Sequence, residues 1–165
     1  MQAIPLDPAQ QQLVAAAVAL HRHRPGALLE VLHAVQSALG FVPPAAVAQI
    51  ANEMNLSRAE VHGVVSFYHY FRHHAPGRRI LKICRAEACQ SVGSSALQEH
   101  AKRRLGVEFG ATTADGAVSL EAVYCLGLCA CAPAVMLDQD VHGQVTAQKL
   151  DELLAAPPRS TSGEQ

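Results

Sequence analysis

Up to about His74 the apolar positions recur at helical spacing, and from Arg79 they alternate as strands do. Pro8 to Leu20 has helical composition. In "PGALLEVLHAVQSALG", opened by Pro25, the apolar residues Leu28, Leu29, Leu32, Val35 and Leu39 predict an amphipathic helix. Gly40 sits where a C-cap glycine would. "FVPP" then interrupts, and Pro44 suits the first position of a short helix running to Glu53. Ser57 with Glu60 three residues on is a capping-box pattern ahead of "VHGVVSFYHYF". The first region therefore reads as four helices that pack on one another.

The second region has a different texture. "RRILKIC" alternates and is rich in β-branched residues, which predicts a strand ending at Cys84. "SSALQEHAKRRLG" predicts a helix capped by Ser94 or Ser95 and stopped by Gly106. "AVSLEAVYC" reads as a strand running into the loop at Cys125, and "AVMLD" with "GQVT" as a hairpin around "QDVHG". Thr146 can cap a last helix through Leu154. The order β, α, β, β, α predicts an α/β fold. A helical region over 1–76 precedes a thioredoxin-like domain over 77–156, and a disordered tail covers 157–165. The glycine-rich fingerprint of a dinucleotide-binding fold is absent.

Composition narrows the function classes. Half of the 165 residues are hydrophobic, enough for a core without disulfide support, but only four Phe and three Tyr contribute rings. Net charge is −1, which gives no reason to expect nucleic acid or an anionic lipid surface as partner. The opening "MQAIPLDPAQ" has no basic segment, and the apolar run Leu13 to Leu20 is too short to span a bilayer. The expectation is a cytoplasmic protein without direct membrane insertion. In that reducing compartment clustered thiols point to metal binding or catalysis rather than disulfides.

The chain has five cysteines, and four fall into two close pairs: Cys84-x4-Cys89 and, after 35 intervening residues, Cys125-x3-Cys129. Each pair lies where a predicted strand ends, so four thiolates can converge at one end of a sheet. Such a set suits a tetrahedral thiolate site. Zinc and a two-iron, two-sulfide cluster compete for it, and the wider loops lean toward the cluster. Gly127, Ala130 and Ala132 leave room for backbone N–H groups to approach sulfur, and Arg85 lies inside the first interval, where its charge would offset the thiolates. A thiol–disulfide oxidoreductase is a third class, but its C-x-x-C motif is missing. His62, His69 and His73 would share a helical face, yet no Cys or carboxylate falls in register with them, so packing or docking is the better reading.

Beyond the cysteines, "GFVPP", "VVSFYHYF", "TTADG", "LEAVYCLGLC" and Ala132-Pro133 resemble the thioredoxin-like ferredoxin family. That family includes the small iron–sulfur subunit of the NADH-input module of respiratory complex I. The resemblance runs from about Pro25 to Leu154. It implies an N-terminal helical bundle, a thioredoxin-like domain, and a 2Fe–2S cluster on Cys84, Cys89, Cys125 and Cys129, with Cys131 a nearby non-ligand thiol. Cys131 in place of Cys129 is the minority alternative.

Within the family, "SFYHYFR" and "CRAEACQ" look most like the gamma subunit of soluble, NAD-dependent, molybdenum-containing formate dehydrogenases, and Val141 stands where complex I members often have tyrosine. The resemblance implies a non-catalytic electron-transfer subunit. Its partners would be an FMN- and NADH-binding subunit and a large molybdenum- and iron–sulfur-containing subunit. FMN, NAD and the molybdenum cofactor would sit on those partners. The alternatives are the corresponding subunit of complex I or of an NAD-linked hydrogenase and, more distantly, a zinc-stabilised interaction module.

Overall fold

A computed structural model describes residues 5–157, and the expected disordered tail lies, from residue 158 on, outside the described residues. The chain divides into two compact units, Met1–Ala75 and Pro76–Gln165.

The first unit is built of α1 (Pro8–His21), α2 (Ala27–Leu39), α3 (Pro44–Met54) and α4 (Arg58–Phe67). Local chemistry sets their ends. Asp7 and Gln10 form a capping box at α1, Gly40 closes α2 in the left-handed region, and Pro44 takes the first turn of α3. Val14, Val18, Val31, Leu32, Val35, Ile50, Val61 and Val65 form a core of small aliphatic contacts, as the scarcity of rings predicts.

The capping box at α4 is also present: Ser57 Oγ accepts from Glu60 N–H at 3.2 Å, and the Glu60 carboxylate accepts from Ser57 N–H at 2.8 Å. These bonds from Ser57, backbone first, hold the Glu60 carboxyl below its ordinary value of 4.5. A depressed folded value means the contribution is complete above the unfolded value and fades as pH falls through the folded one. In an NMR pH titration Glu60 should therefore titrate below 4.5. Ser57→Ala removes the hydroxyl and keeps the backbone donor, so it should move the midpoint only part of the way back up; an unchanged midpoint would show that the hydroxyl contributes nothing.

One expectation fails here. α4 stops at Phe67, and Tyr68 is extended, so His69 and His73 do not share a helical face with His62. The buried side chain of Gln36 takes over the backbone instead: its Oε1 accepts from Arg72 N–H at 2.7 Å and its Nε2 donates to the Tyr70 carbonyl at 3.0 Å. Phe71 is drawn into the core, while Phe67, Tyr68 and Tyr70 stay exposed.

In the second unit β1 (Arg79–Cys84), β2 (Val118–Val123), β3 (Val135–Leu137) and β4 (Asp140–His142) form a mixed sheet in the order β2-β1-β3-β4. β1 and β2 are parallel, β1 and β3 antiparallel. Between β1 and β2 run α5 (Glu87–Ser91) and α6 (Ser94–Leu105); α7 (Ala147–Ala155) closes the unit, with Thr146 Oγ1 accepting from Lys149 N–H as expected. Leu81, Ile83, Leu120, Val135 and Leu150 form the core against α6 and α7. Burying each such side chain contributes about 1.5–3 kcal/mol.

Two local readings need correction. The hairpin turns at Asp138 and Gln139, so its second strand is Asp140–His142 and not "GQVT". Asp138 adopts φ +60°, and its carboxylate accepts from Ile80 N–H and Arg79 Nε, which pins the tight turn beside β1. The cap of α6 is Gly93 rather than a serine. Ser94 is fully buried, and its hydroxyl donates to the Cys84 carbonyl at 2.6 Å.

Candidate metal centre

The parallel register aligns Cys84 with Val123, so the two cysteine-bearing segments leave neighbouring strands at the same end of the sheet. Cys84 N–H donates to the Ala134 carbonyl at 3.0 Å and Arg85 N–H to the Val123 carbonyl at 2.7 Å, which ties the first thiol to both flanking segments. Cys89 follows on α5, a helical turn that occupies the first interval. Cys84 and Cys89 are each only 2% exposed, set among Ala86, Val123, Leu126, Leu128, Ala132 and Ala134. Cys125, Cys129 and Cys131 are exposed, and all five cysteines are free. The site thus has an inner and an outer pair of thiols.

The outer pair is held by unusual backbone. Cys125 has φ +150°, a region that glycine favours and that costs another residue about 1–3 kcal/mol. It turns the thiol toward Cys129, with the sulfurs 3.8 Å apart. Gly127, at φ +78°, brings its N–H to 3.3 Å from Cys125 Sγ. A Cβ at position 127 would meet open space, so what glycine supplies here is the positive φ rather than the expected room. Ala132–Pro133 is a cis peptide.

The four thiols also feel one another. Burial, followed by the hydrogen bond with Cys84, pushes the Cys89 thiol up, with Cys129 adding a smaller repulsion. The bond with Cys125 pushes Cys129 up, and Cys84 contributes. One thiol of each pair is thus held protonated by burial and by neighbouring thiols, which a cationic centre would relieve with release of the proton. Among the described residues no three or more His, Cys, Asp or Glu side chains converge closely enough for one ion. The donors stand two and two, and a two-iron cluster takes two thiolates at each iron. The donor set, the N–H on sulfur and the buried Arg85 Nε, which lacks a partner, fit such a cluster.

Cys131 packs against the segment Gly143–Gln144. It ends the 3₁₀ turn Cys129–Cys131, and its carbonyl accepts from Gln144 N–H at 2.6 Å. A Cβ on Gly143 would lie 2.8 Å from both Cys131 Cβ and the Cys131 carbonyl oxygen. Gly143→Ala should cost about 1–3 kcal/mol, because backbone blocks its relaxation. A urea midpoint equal to that of the unmutated protein would contradict this close approach.

Sequence reasoning does not find Ser94, whose hydroxyl secures the carbonyl of Cys84. A serine at a predicted helix start reads as a cap, and only its burial reveals the other role.

Residues 14–157 match the thioredoxin-like 2Fe-2S ferredoxin family. The chain is 36% identical over 130 residues to a subunit of the NADH-quinone oxidoreductase of Pseudomonas aeruginosa, covering 79% of this chain and 78% of that one. It is 35% identical over 130 residues to the HndA subunit of the NADP-reducing hydrogenase of Solidesulfovibrio fructosivorans, covering 79% and 76%. Among solved structures, an NAD+-reducing NiFe-hydrogenase in the air-oxidized state aligns with TM-score 0.65 and 27% identity over 81% of this chain. This chain spans only 23% of that hydrogenase chain.

Proposed function

The chain belongs to the thioredoxin-like 2Fe-2S ferredoxin family, and from that premise we propose that it is the electron-transfer subunit of a multi-subunit NAD-linked oxidoreductase. The family implies a 2Fe–2S cluster on this subunit. When bound, the cluster supplies one-electron transfer, and the protein's part is to hold it and set its potential. Cys84 and Cys89 would hold it from the buried side, Cys125 and Cys129 from the exposed side. The observation that carries this reading is the pairing of four free thiols at one end of parallel strands β1 and β2. The Gly127 N–H would lessen the charge on the Cys125 thiolate, while Ser94 fixes the main chain of Cys84. No residue of this chain is asked to act as acid, base or nucleophile.

The partner would be an FMN- and NADH-binding subunit. For the parent enzyme, "CRAEACQ" and "SFYHYFR" favour an NAD-dependent, molybdenum-containing formate dehydrogenase. Relatives named as a quinone oxidoreductase subunit and a hydrogenase subunit support the broader class. None of the described helices is long and apolar enough to cross a membrane.

Anaerobic purification with iron, sulfide and metal analysis tests the cofactor. A reddish-brown protein that bleaches with dithionite is expected, and stoichiometric zinc without iron would defeat the reading. Co-purification tests the parent. Formate-dependent NAD reduction by the captured complex supports the dehydrogenase, and quinone or hydrogen chemistry rules it out.

A further inference from the structure

We infer that Arg85, held against Phe109, is a positioning residue that favours the reduced state of the cluster. This rests on the reading that Cys84, Cys89, Cys125 and Cys129 hold that cluster. Arg85 directly follows Cys84, inside the first ligand interval. Its main chain is fixed at both groups: the N–H donates to the Val123 carbonyl at 2.7 Å, and the carbonyl accepts from Gln90 Nε2 at 2.6 Å. Its guanidinium carbon stands 4.9 Å from the Phe109 ring centroid, within the roughly 6 Å reach of a cation–π contact.

What Arg85 lacks is as informative as what it has. Among the described residues it forms no ion pair, and its Nε is buried without a hydrogen-bond partner. An arginine on a flexible surface would turn that N–H to water rather than leave it unmade. A carboxylate partner would cancel the positive field of the guanidinium, whereas an aromatic face holds the cation and leaves the field intact. Lys102 also approaches the ring, at 5.9 Å, but Glu99 and Glu108 pair with it at 3.1 and 2.9 Å. Arg85 is therefore the uncompensated cation of this ring, one residue from a proposed ligand. One-electron reduction makes an anionic thiolate-and-sulfide group more anionic, so a fixed positive charge nearby stabilises the reduced form more than the oxidised one.

The test is the reduction midpoint of the full-length, cluster-loaded protein, followed by visible absorbance and electron paramagnetic resonance. Arg85→Gln should lower the reduced-to-oxidised ratio at a fixed ambient potential about tenfold, equivalent to about 59 mV toward negative potential. Arg85→Lys keeps the charge but not the planar contact and should recover part of that shift. Phe109→Leu leaves the ligand interval untouched and lets the guanidinium reach water. Its midpoint should move in the same direction by less. Iron and sulfide content establishes loading, and if Arg85→Gln does not load, the Lys and Leu variants decide the matter. Loaded variants that all share the wild-type midpoint overturn the inference. A wild-type protein without a 2Fe–2S spectrum defeats the cluster reading instead, so the two failures are separate.

Discussion

Cys129→Ser is expected to abolish 2Fe–2S incorporation, with Cys131→Ser retaining iron and sulfide at the wild-type level. The two thiols are separated by one residue, so the prediction depends on geometry and not on proximity in sequence. Cys129 Sγ lies 3.8 Å from Cys125 Sγ. Cys131 lies two positions further round a 3₁₀ turn, where successive side chains point about 120° apart. Its Cβ instead faces Gly143, and its carbonyl is bound by Gln144. For Cys131 to serve as ligand, the turn would have to release that bond and rotate. Serine at position 129 leaves a weakly acidic hydroxyl where a thiolate is required. Elemental analysis and visible absorbance of both variants, purified anaerobically, check this. A loaded Cys129→Ser protein, or an empty Cys131→Ser protein, would transfer the ligand role to Cys131.

That assignment is open to sequence reasoning because thiol spacing and strand patterning both act over a few residues. The β-rich run ending at Cys84 and the one ending before Cys125 need no tertiary information, and the observed strands Arg79–Cys84 and Val118–Val123 follow those patterns. The capping box at Ser57 and Glu60 and the Thr146 cap are equally local. What the pattern could not supply were choices made by distant partners. Gln36 intercepts the backbone of Tyr70 and Arg72 from 34 and 36 residues away and ends α4 early. Ser94 gives up a cap to bind Cys84, ten residues back. Asp138 reaches Ile80 and thereby moves the hairpin turn. In each case a polar side chain satisfies a buried or strained group far along the chain, and this outweighs the local preference.

Ile83→Ala is expected to be the most damaging single change to the second unit outside the cysteines, at about 2–5 kcal/mol. Ile83 is fully buried and lies on β1, which is paired on both sides. It aligns with Ala122 on β2 and Val135 on β3. Those ladders restrain the backbone on either side, so the cavity left by alanine cannot close by inward movement of the neighbours. The cost should then include the void as well as the lost transfer energy. Ile83→Val, which removes one methyl, should cost only about 0.5–1.5 kcal/mol. Bleaching of the cluster absorbance during urea denaturation reads the unit that carries the thiols. It separates this unit from the helical one, to which circular dichroism also responds. Ile83 immediately precedes Cys84, whose carbonyl and N–H are both engaged, by Ser94 and Ala134. A loosened β1 therefore acts on the inner thiol pair before the outer one. Cluster loss in Ile83→Ala should begin at lower urea than loss of the far-ultraviolet signal. If the alanine variant lost no more stability than the valine variant, the end of β1 would be free to collapse and could not act as the rigid support of the site.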